Sequence, residues 1–408
     1  MRAAVAAFLA AIMMAGPALA ETDLFSRDTV SGTIDLRAAS ADGERSWTDR
    51  GFGKTRYGDG VNGGFAGADL VWKPRFSWAW SATVDLQAQA GQRRPVDLGE
   101  AFVAFKPTPR GPTRISARAG LFYTPLSLEH SGADWRPADT ITPSAIGSWA
   151  GEELKVIGLE GTVTRRLSAD SEFTVKAAVF GYDDTAGTVL ALRGWALHEL
   201  KSSARGRFDL PALSPFMATK QPPFTSSINE LDRRAGWYGQ AIWASGPVRL
   251  TALFWDNRGN RVALNSDKEW AWQTRFAALG FDADLTPDLR LRAQALKGAS
   301  LMGLATPQTW IDIDYDAAYL MLTRRLTAGS VSARLETFRV EDNSWLVKDP
   351  NQEDGWAATA AWRRTLSPHA DLLLEALYVD SDRPARARVG DAPQQRELQL
   401  QSALRLKF

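Results

Sequence analysis

Along most of this chain apolar and polar residues alternate one by one. The last twelve residues show it most plainly. Leu398, Leu400, Leu404, Leu406 and Phe408 share one phase, and Glu397, Gln399, Gln401, Arg405 and Lys407 the other. Successive side chains of an extended strand point to opposite faces, so this period of two makes a strand with one greasy and one wet face. The same alternation recurs in seven hairpins, at 66–72/78–90, 101–105/113–123, 154–165/172–181, 237–243/248–255, 270–284/289–297, 311–325/331–339 and 355–364/372–379. Each hairpin turns at a short polar segment, such as Lys73-Pro74, Ser245-Gly246-Pro247 or Thr286-Pro287-Asp288. Pro and Gly suit these places because one fixes φ and the other frees it where the chain reverses. An opening strand at 33–38 and a closing strand at 397–408 bring the expected count to sixteen.

The start of the chain explains why so many strands need no helical partner. Arg2 gives a short basic start, 3–14 are almost wholly apolar, and Ala18-Leu19-Ala20 is a small-x-small cleavage site. Residues 1–20 therefore read as a secretory signal peptide, removed before folding. No Cys follows the cleavage site, so no lipoprotein anchor is expected. Residues 21–408 read as one domain. No later stretch approaches the roughly 20 apolar residues of a membrane-spanning helix. An exported chain of this kind can occupy a membrane only as a closed antiparallel β-barrel, because backbone polar groups must be satisfied internally.

Composition changes the picture in three ways. The chain has no cysteine, so it holds together without disulfides. Its 48 basic residues, one of them Arg2, balance 47 acidic ones. That balance argues against a nucleic-acid partner, which would call for a basic face. Sixteen Trp is a high count, and aromatic residues gather where a barrel crosses the two membrane interfaces. A large soluble β-protein that buries its Trp residues is the alternative.

The closing strand with its terminal Phe408 resembles that of Gram-negative outer-membrane porin-type β-barrels. The resemblance implies a cell-outer-membrane location, contact with outer-membrane lipid and lipopolysaccharide, and recognition of Phe408 by the barrel-insertion machinery. It also implies short periplasmic turns, long outer loops and a homotrimer. The seven short turns place both termini in the periplasm. No segment is expected to plug the barrel.

The apolar phase of each strand is assigned to lipid, because Arg or Lys facing hydrocarbon costs roughly 2–4 kcal/mol at the midplane. The polar phase then lines the lumen. It carries Asp85 and Gln87, Arg114 and Arg118, Arg249, Gln273 and Arg275, Arg290 and Arg292, Arg334 and Glu336, and the ladder Asp312, Asp314 and Asp316. Arg forks can hold carboxylate or phosphate by two contacts, so these residues suggest an anion-preferring pore. Equally, Arg290 and Arg292 can pair with the Asp ladder on the next strand and merely stabilise the wall. The ladder lacks the Gly and the distant Glu of a calcium loop, so no metal or other cofactor is expected.

Two loops stand out. The third outer loop, about 124–153, is the one that in sixteen-stranded porins folds inward, so resemblance makes it the candidate constriction. It carries Glu129, His130, Asp134, Arg136, Asp139, Glu152 and Glu153, and its acid excess would face the basic wall. An ordinary solvated loop is the plainer reading. The fourth, 183–234, exceeds what a connection needs. Its first half has apolar spacing suited to a short helix at 189–200, and it could cap the mouth, pack between subunits or bind solute.

The three His residues, His130, His198 and His369, lie near no recognisable nucleophile motif, so no enzyme is expected. Two functions follow. One is a water-filled pore for passive diffusion of small hydrophilic solutes and ions. The other is a closed structural or adhesin-like barrel that meets an external partner through its long loops.

Overall fold

The computed structural model describes residues 23–304, 309–346 and 349–408. The signal-peptide expectation at 1–20 lies outside them. Sixteen strands form a closed barrel. The first eight are β1 (Val30–Asp42), β2 (Gly60–Trp72), β3 (Trp80–Gln89), β4 (Val96–Phe105), β5 (Thr113–Tyr123), β6 (Lys155–Arg166), β7 (Ser171–Gly181) and β8 (Gly236–Ser245). The second eight are β9 (Val248–Asp256), β10 (Gln273–Thr286), β11 (Leu289–Met302), β12 (Ile311–Leu326), β13 (Gly329–Asp342), β14 (Glu353–Ser367), β15 (Ala370–Asp382) and β16 (Gln394–Lys407). Each strand pairs antiparallel with the next, and β16 closes on β1 through pairs such as Leu36↔Leu404 and Ala39↔Gln401. Full closure leaves no unpaired edge, which a membrane requires.

The alternation read from sequence sets the two faces. On β16, Leu398 and Leu400 are exposed outward, while Glu397, Gln399, Gln401 and Arg405 are buried inside. Ile34, Leu70, Ile115, Leu159, Val179, Leu279, Leu320, Leu335 and Leu374 continue an exposed apolar belt around the wall. Exposed Trp80 and Trp243 lie toward the end with the short turns, and Trp237 and Trp356 toward the other end. This is the pattern of an aromatic-girdled membrane barrel, with the short turns on the periplasmic side.

Only part of the tryptophan goes to the girdles. Trp47, Trp149, Trp195, Trp255 and Trp272 are fully buried inside the barrel. They belong to one apolar cluster that fills the loop-side half of the lumen, with Phe276, Met302, Ile313, Tyr315, Phe338 and Val379 contributed by the wall. Trp149 meets Trp195, Phe276 and Tyr315 edge-on, with ring centroids 5.8, 5.4 and 5.3 Å apart. Such contacts add about 0.5–1.5 kcal/mol each beyond their burial. The lumen is therefore not charged along its whole length, contrary to the sequence expectation.

Three outer loops supply the filling. The loop after β1 (43–59), the third (124–154) and the fourth (182–235) fold into the barrel. In the fourth, a short helix α1 (Thr188–Leu192) and the stretch through Ser203 are buried. The helix expected at 189–200 thus covers only its beginning. The expectation that no segment plugs the barrel is corrected by this stretch. Its apolar residues Val189, Leu190, Leu192, Trp195, Leu197 and Leu200 match an apolar lumen face that strand-by-strand alternation does not reveal.

The candidate site: a charged lumen under inserted loops

Wall carboxylates and guanidiniums anchor the third loop across the whole lumen. Arg334 Nη1 donates to Glu129 (2.8 Å) and its Nε to Glu336 (2.9 Å). Glu336 accepts from the Ala145 amide (2.6 Å), and Glu375 from the Ile141 amide (2.6 Å). On β1 and β2, beyond the closing strand, Arg136 bonds Asp69 and reaches Asp35 (3.4 Å). Asp134 accepts from Thr33 (2.9 Å), and Asp139 pairs with Arg292 (2.7 Å). Glu152 bonds His130 Nε2 (2.7 Å), and Glu153 holds both Arg193 (2.5 Å) and His198 (2.8 Å). Every charged residue singled out in this loop lies inside the barrel. They do not form one acidic face: Glu129 and Asp139 meet basic wall residues, whereas Arg136 meets acidic ones.

The fourth loop is locked by a second set. The Glu353 carboxylate, fully buried on β14, pairs with Lys54 and with Arg383 (3.4 Å) and accepts the Trp195 amide (2.9 Å). Glu199 takes Arg37 (2.7 Å) and Arg56 (2.5 Å), and Lys201 reaches Asp69 (2.8 Å). Breaking one partner out of such a buried pair is costly, because the other charge is left in low dielectric.

Toward the short-turn end the lumen face is open and ionic. Arg114 on β5 pairs with Glu172 on β7. Arg118 forks onto Glu160 through Nε (3.0 Å) and Nη2 (3.1 Å), and Tyr238 also donates to Glu160. Arg290 pairs with Asp282 on β10. Lys176 on β7 and Arg249 on β9 share the lumen phase, Arg249 being exposed there, and neither has an ion-pair or hydrogen-bond partner among the described residues. Lys176 was not singled out from sequence, although its phase with Glu172 and Thr174 marks it as lumen-facing.

Five residues expected to face the lumen are corrected: Gln273, Arg275, Asp312, Asp314 and Asp316. On β10 the buried phase is Thr274, Phe276 and Ala278, and Arg275 shares the outward phase with Gln273 and exposed Leu279. On β12 the buried phase is Ile311, Ile313, Tyr315 and Ala317, so Asp312, Asp314 and Asp316 point outward, above Leu320 and Leu322. The physical reason is the inserted loops: at this height the lumen face packs on Trp149 and Trp195, and an inward carboxylate would be stripped of water. Of the ladder, Asp316 is balanced laterally, lying between Lys297 and Arg339 on the neighbouring strands, whereas Asp314 opposes Glu341. Pairing of Arg290 and Arg292 with this ladder is likewise excluded by register. Arg290 and Arg292 oppose Thr323 and Met321 at the other end of β12, and they pair with Asp282 and Asp139 instead.

Folding also assembles a contact that no motif announces. Ser127 Oγ lies 2.7 Å from His130 Nδ1, and the other ring nitrogen faces Glu152. Ser127 Oγ accepts the Glu129 amide (3.2 Å), and Gly151 packs on the imidazole, so the group caps a turn in a closed interior. His369 is exposed in the β14–β15 turn.

No family model and no curated protein sequence matches the chain. Solved structures do match its fold. The outer-membrane channel DcaP of Acinetobacter baumannii is 11% identical, with TM-score 0.54 over 95% of this chain and 100% of that one. An anion-selective porin from Comamonas acidovorans is 12% identical, with TM-score 0.53 over 95% and 100%. OprB of Pseudomonas putida is 10% identical, with TM-score 0.53 over 93% and 94%. The chain has the closed sixteen-strand fold of porin-type outer-membrane β-barrels.

Proposed function

We propose that this protein is an outer-membrane channel for passive movement of small hydrophilic solutes, with a preference for anions, and that it performs no catalytic step. The observation that carries the reading is the open ionic face at the short-turn end. There the cations Arg114, Arg118, Arg166, Lys176, Arg249, Arg290 and Arg292 share the face with the carboxylates Glu160, Glu172, Asp282 and Asp139. A wall needed only for stability has no use for unpaired charge. The segment 187–203 acts as the gate: it closes the loop-side half, and passage requires its displacement. Lipopolysaccharide around the outer belt and assembly as a homotrimer belong to the same reading.

The reading of a closed barrel that grips an external partner with its loops is less well supported. The loops around Trp47, Trp149 and Trp195 spend their apolar surface inside the barrel, where no partner reaches it. Single-channel recording in a planar bilayer tests the channel. Discrete conductance steps interrupted by long closures are expected. Silence from a folded, heat-modifiable barrel would refute it.

A further inference from the structure

Resting on that channel reading and the assembly proposed with it, we infer that the open edge of β2 in one copy seats in an outer groove over β14, β15, β16 and β1 of the next. β2 pairs with β1 from Gly60 to Trp72, but with β3 only from Gly67 onward. Gly60–Phe65 therefore have a strand on one side alone, and no other backbone hydrogen bond reaches them among the described residues. Val61 lies in one row with Ser40 and Leu400, and Phe65 in one row with Leu36 and Leu404, so this segment stands in the exposed apolar belt. Val61 is 86% exposed, and a Cβ built at Gly60 or Gly64 would meet nothing within 4 Å. Hydrocarbon offers no partner to the N–H and C=O groups of such an edge, so another polypeptide must. The chain covers a similar edge by itself. β4 pairs with β5 only from Ala101 onward, and there the Leu98 carbonyl accepts the Ala204 amide (2.8 Å) and the Gly99 carbonyl accepts Lys155 Nζ (2.9 Å). Nothing of the kind reaches Gly60–Phe65 among the described residues.

The groove adjoins that edge. Val61 forms one margin of a hollow of about 680 Å³ that crosses β1, β16, β15 and β14 on the outer face. Small residues floor it: Ala38 opposes Ser402, and Ala360 opposes Ala376. Within a membrane, small residues let two backbones approach closely enough to pack and to hydrogen-bond. Ser40 and Ser402 place hydroxyls in this lipid-facing hollow with no hydrogen-bond partner among the described residues. A hydroxyl in hydrocarbon is as poorly served as an open strand edge, and each supplies what the other lacks. An acyl chain fills the hollow but meets neither need. The β2 edge of a second copy meets both, with Val61 and Phe65 as its apolar knobs. Edge and groove lie within five successive strands, β14 to β2, so a copy offers one to each of two neighbours. All copies share one orientation in the membrane, and a head-to-tail contact repeated about the membrane normal closes into a ring.

The test uses the full-length protein in native outer membranes. The chain has no cysteine, so an introduced pair reports contacts without background. Val61→Cys is combined with Ala376→Cys, and the control combines Leu279→Cys, on the outward face of β10, with Ala376→Cys. Within one copy Val61 and Ala376 stand three strand spacings of about 4.8 Å apart, beyond the reach of a disulfide, so any bridge joins two copies. Mild oxidation should give a ladder of cross-linked oligomers at least tenfold above the control. Ser402→Trp, which fills the groove, should turn the oligomer into monomer on native electrophoresis while the barrel stays heat-modifiable. Cross-linking no greater than the control, or an oligomer unchanged by Ser402→Trp, would overturn the inference. A monomeric wild type overturns it too, and leaves the channel standing where conductance steps persist. A cross-linked, folded ring that is silent in the bilayer supports this interface and sinks the channel instead.

Discussion

Replacing Glu353 by Gln should unlock the fourth loop without reshaping the wall. The side chain keeps its size, yet the carboxylate that faces Lys54 from the first loop and Arg383 from the end of β15 is gone. All three side chains are at most 1% exposed, so the two cations are left together with neither water nor counter-charge. Removing one partner from a buried ion pair costs about 3–5 kcal/mol. The Trp195 amide, which donates to the same carboxylate, keeps only a neutral acceptor. Displacing the first and fourth loops rehydrates Lys54, so most of the cost is relieved by opening the plug rather than by unfolding the barrel. At about 1.4 kcal/mol per tenfold, the opened population should rise roughly a hundredfold to a thousandfold or more. Hydrogen exchange of 187–203 in micelles reads this directly, with strands β10–β13 as the internal reference. The longer closures in single-channel records should shorten in parallel. Unchanged exchange at 187–203, or an increase no larger than that of β10–β13, would show that Glu353 is not the lock.

Three further outcomes follow from named positions. Leu279, 66% exposed on the outward face of β10, should cost about 2–4 kcal/mol when changed to Arg, read by urea unfolding in lipid vesicles; a cost under about 1 kcal/mol would refute its lipid contact. Gly120 adopts φ +139°, and a Cβ there would sit 2.2 Å from the Ala101 carbonyl oxygen, so Gly120→Ala should lose about 1–3 kcal/mol and lower the heat-modification temperature. Asp184, at the base of the fourth loop, is pushed up to about 6 by burial, with Asp232 and Glu230 adding repulsion. Its folded value exceeds the unfolded 3.8, so its stabilisation is full below pH 3.8 and is lost as pH rises through 6. Exchange at 229–234, corrected for intrinsic rates, should therefore rise between pH 4 and 7 in wild type and stay flat in Asp184→Asn.

The strand count and both faces of β16 were legible because the period of two is a local property of the chain. Each hairpin carries its own turn residues, and the apolar phase must meet lipid wherever the strand crosses it. The same rule failed on β10 and β12, where both phases are mixed. On β12 the acidic phase Asp312, Asp314 and Asp316 competes with an aromatic and aliphatic phase, Ile313, Tyr315 and Ala317. Alternation alone sends the polar phase to the lumen. That inference assumes a wet lumen, and the sequence carries no local sign that Trp149 and Trp195 will occupy it. Lys176 was missed for a different reason: a single Lys between Thr174 and Ala178 in its phase does not stand out until the neighbouring strands are in place.

Sequence alone thus determined a disulfide-free chain of sixteen alternating strands that closes on itself, because strand periodicity, turn chemistry and the need to satisfy every backbone group in lipid act within a few residues. Only the tertiary structure decided what fills the barrel and which charges stay free. Those depend on contacts such as Glu353 with Lys54, or Glu129 with Arg334, between residues hundreds of positions apart. Burial makes these pairings strong and specific, and no local pattern records them.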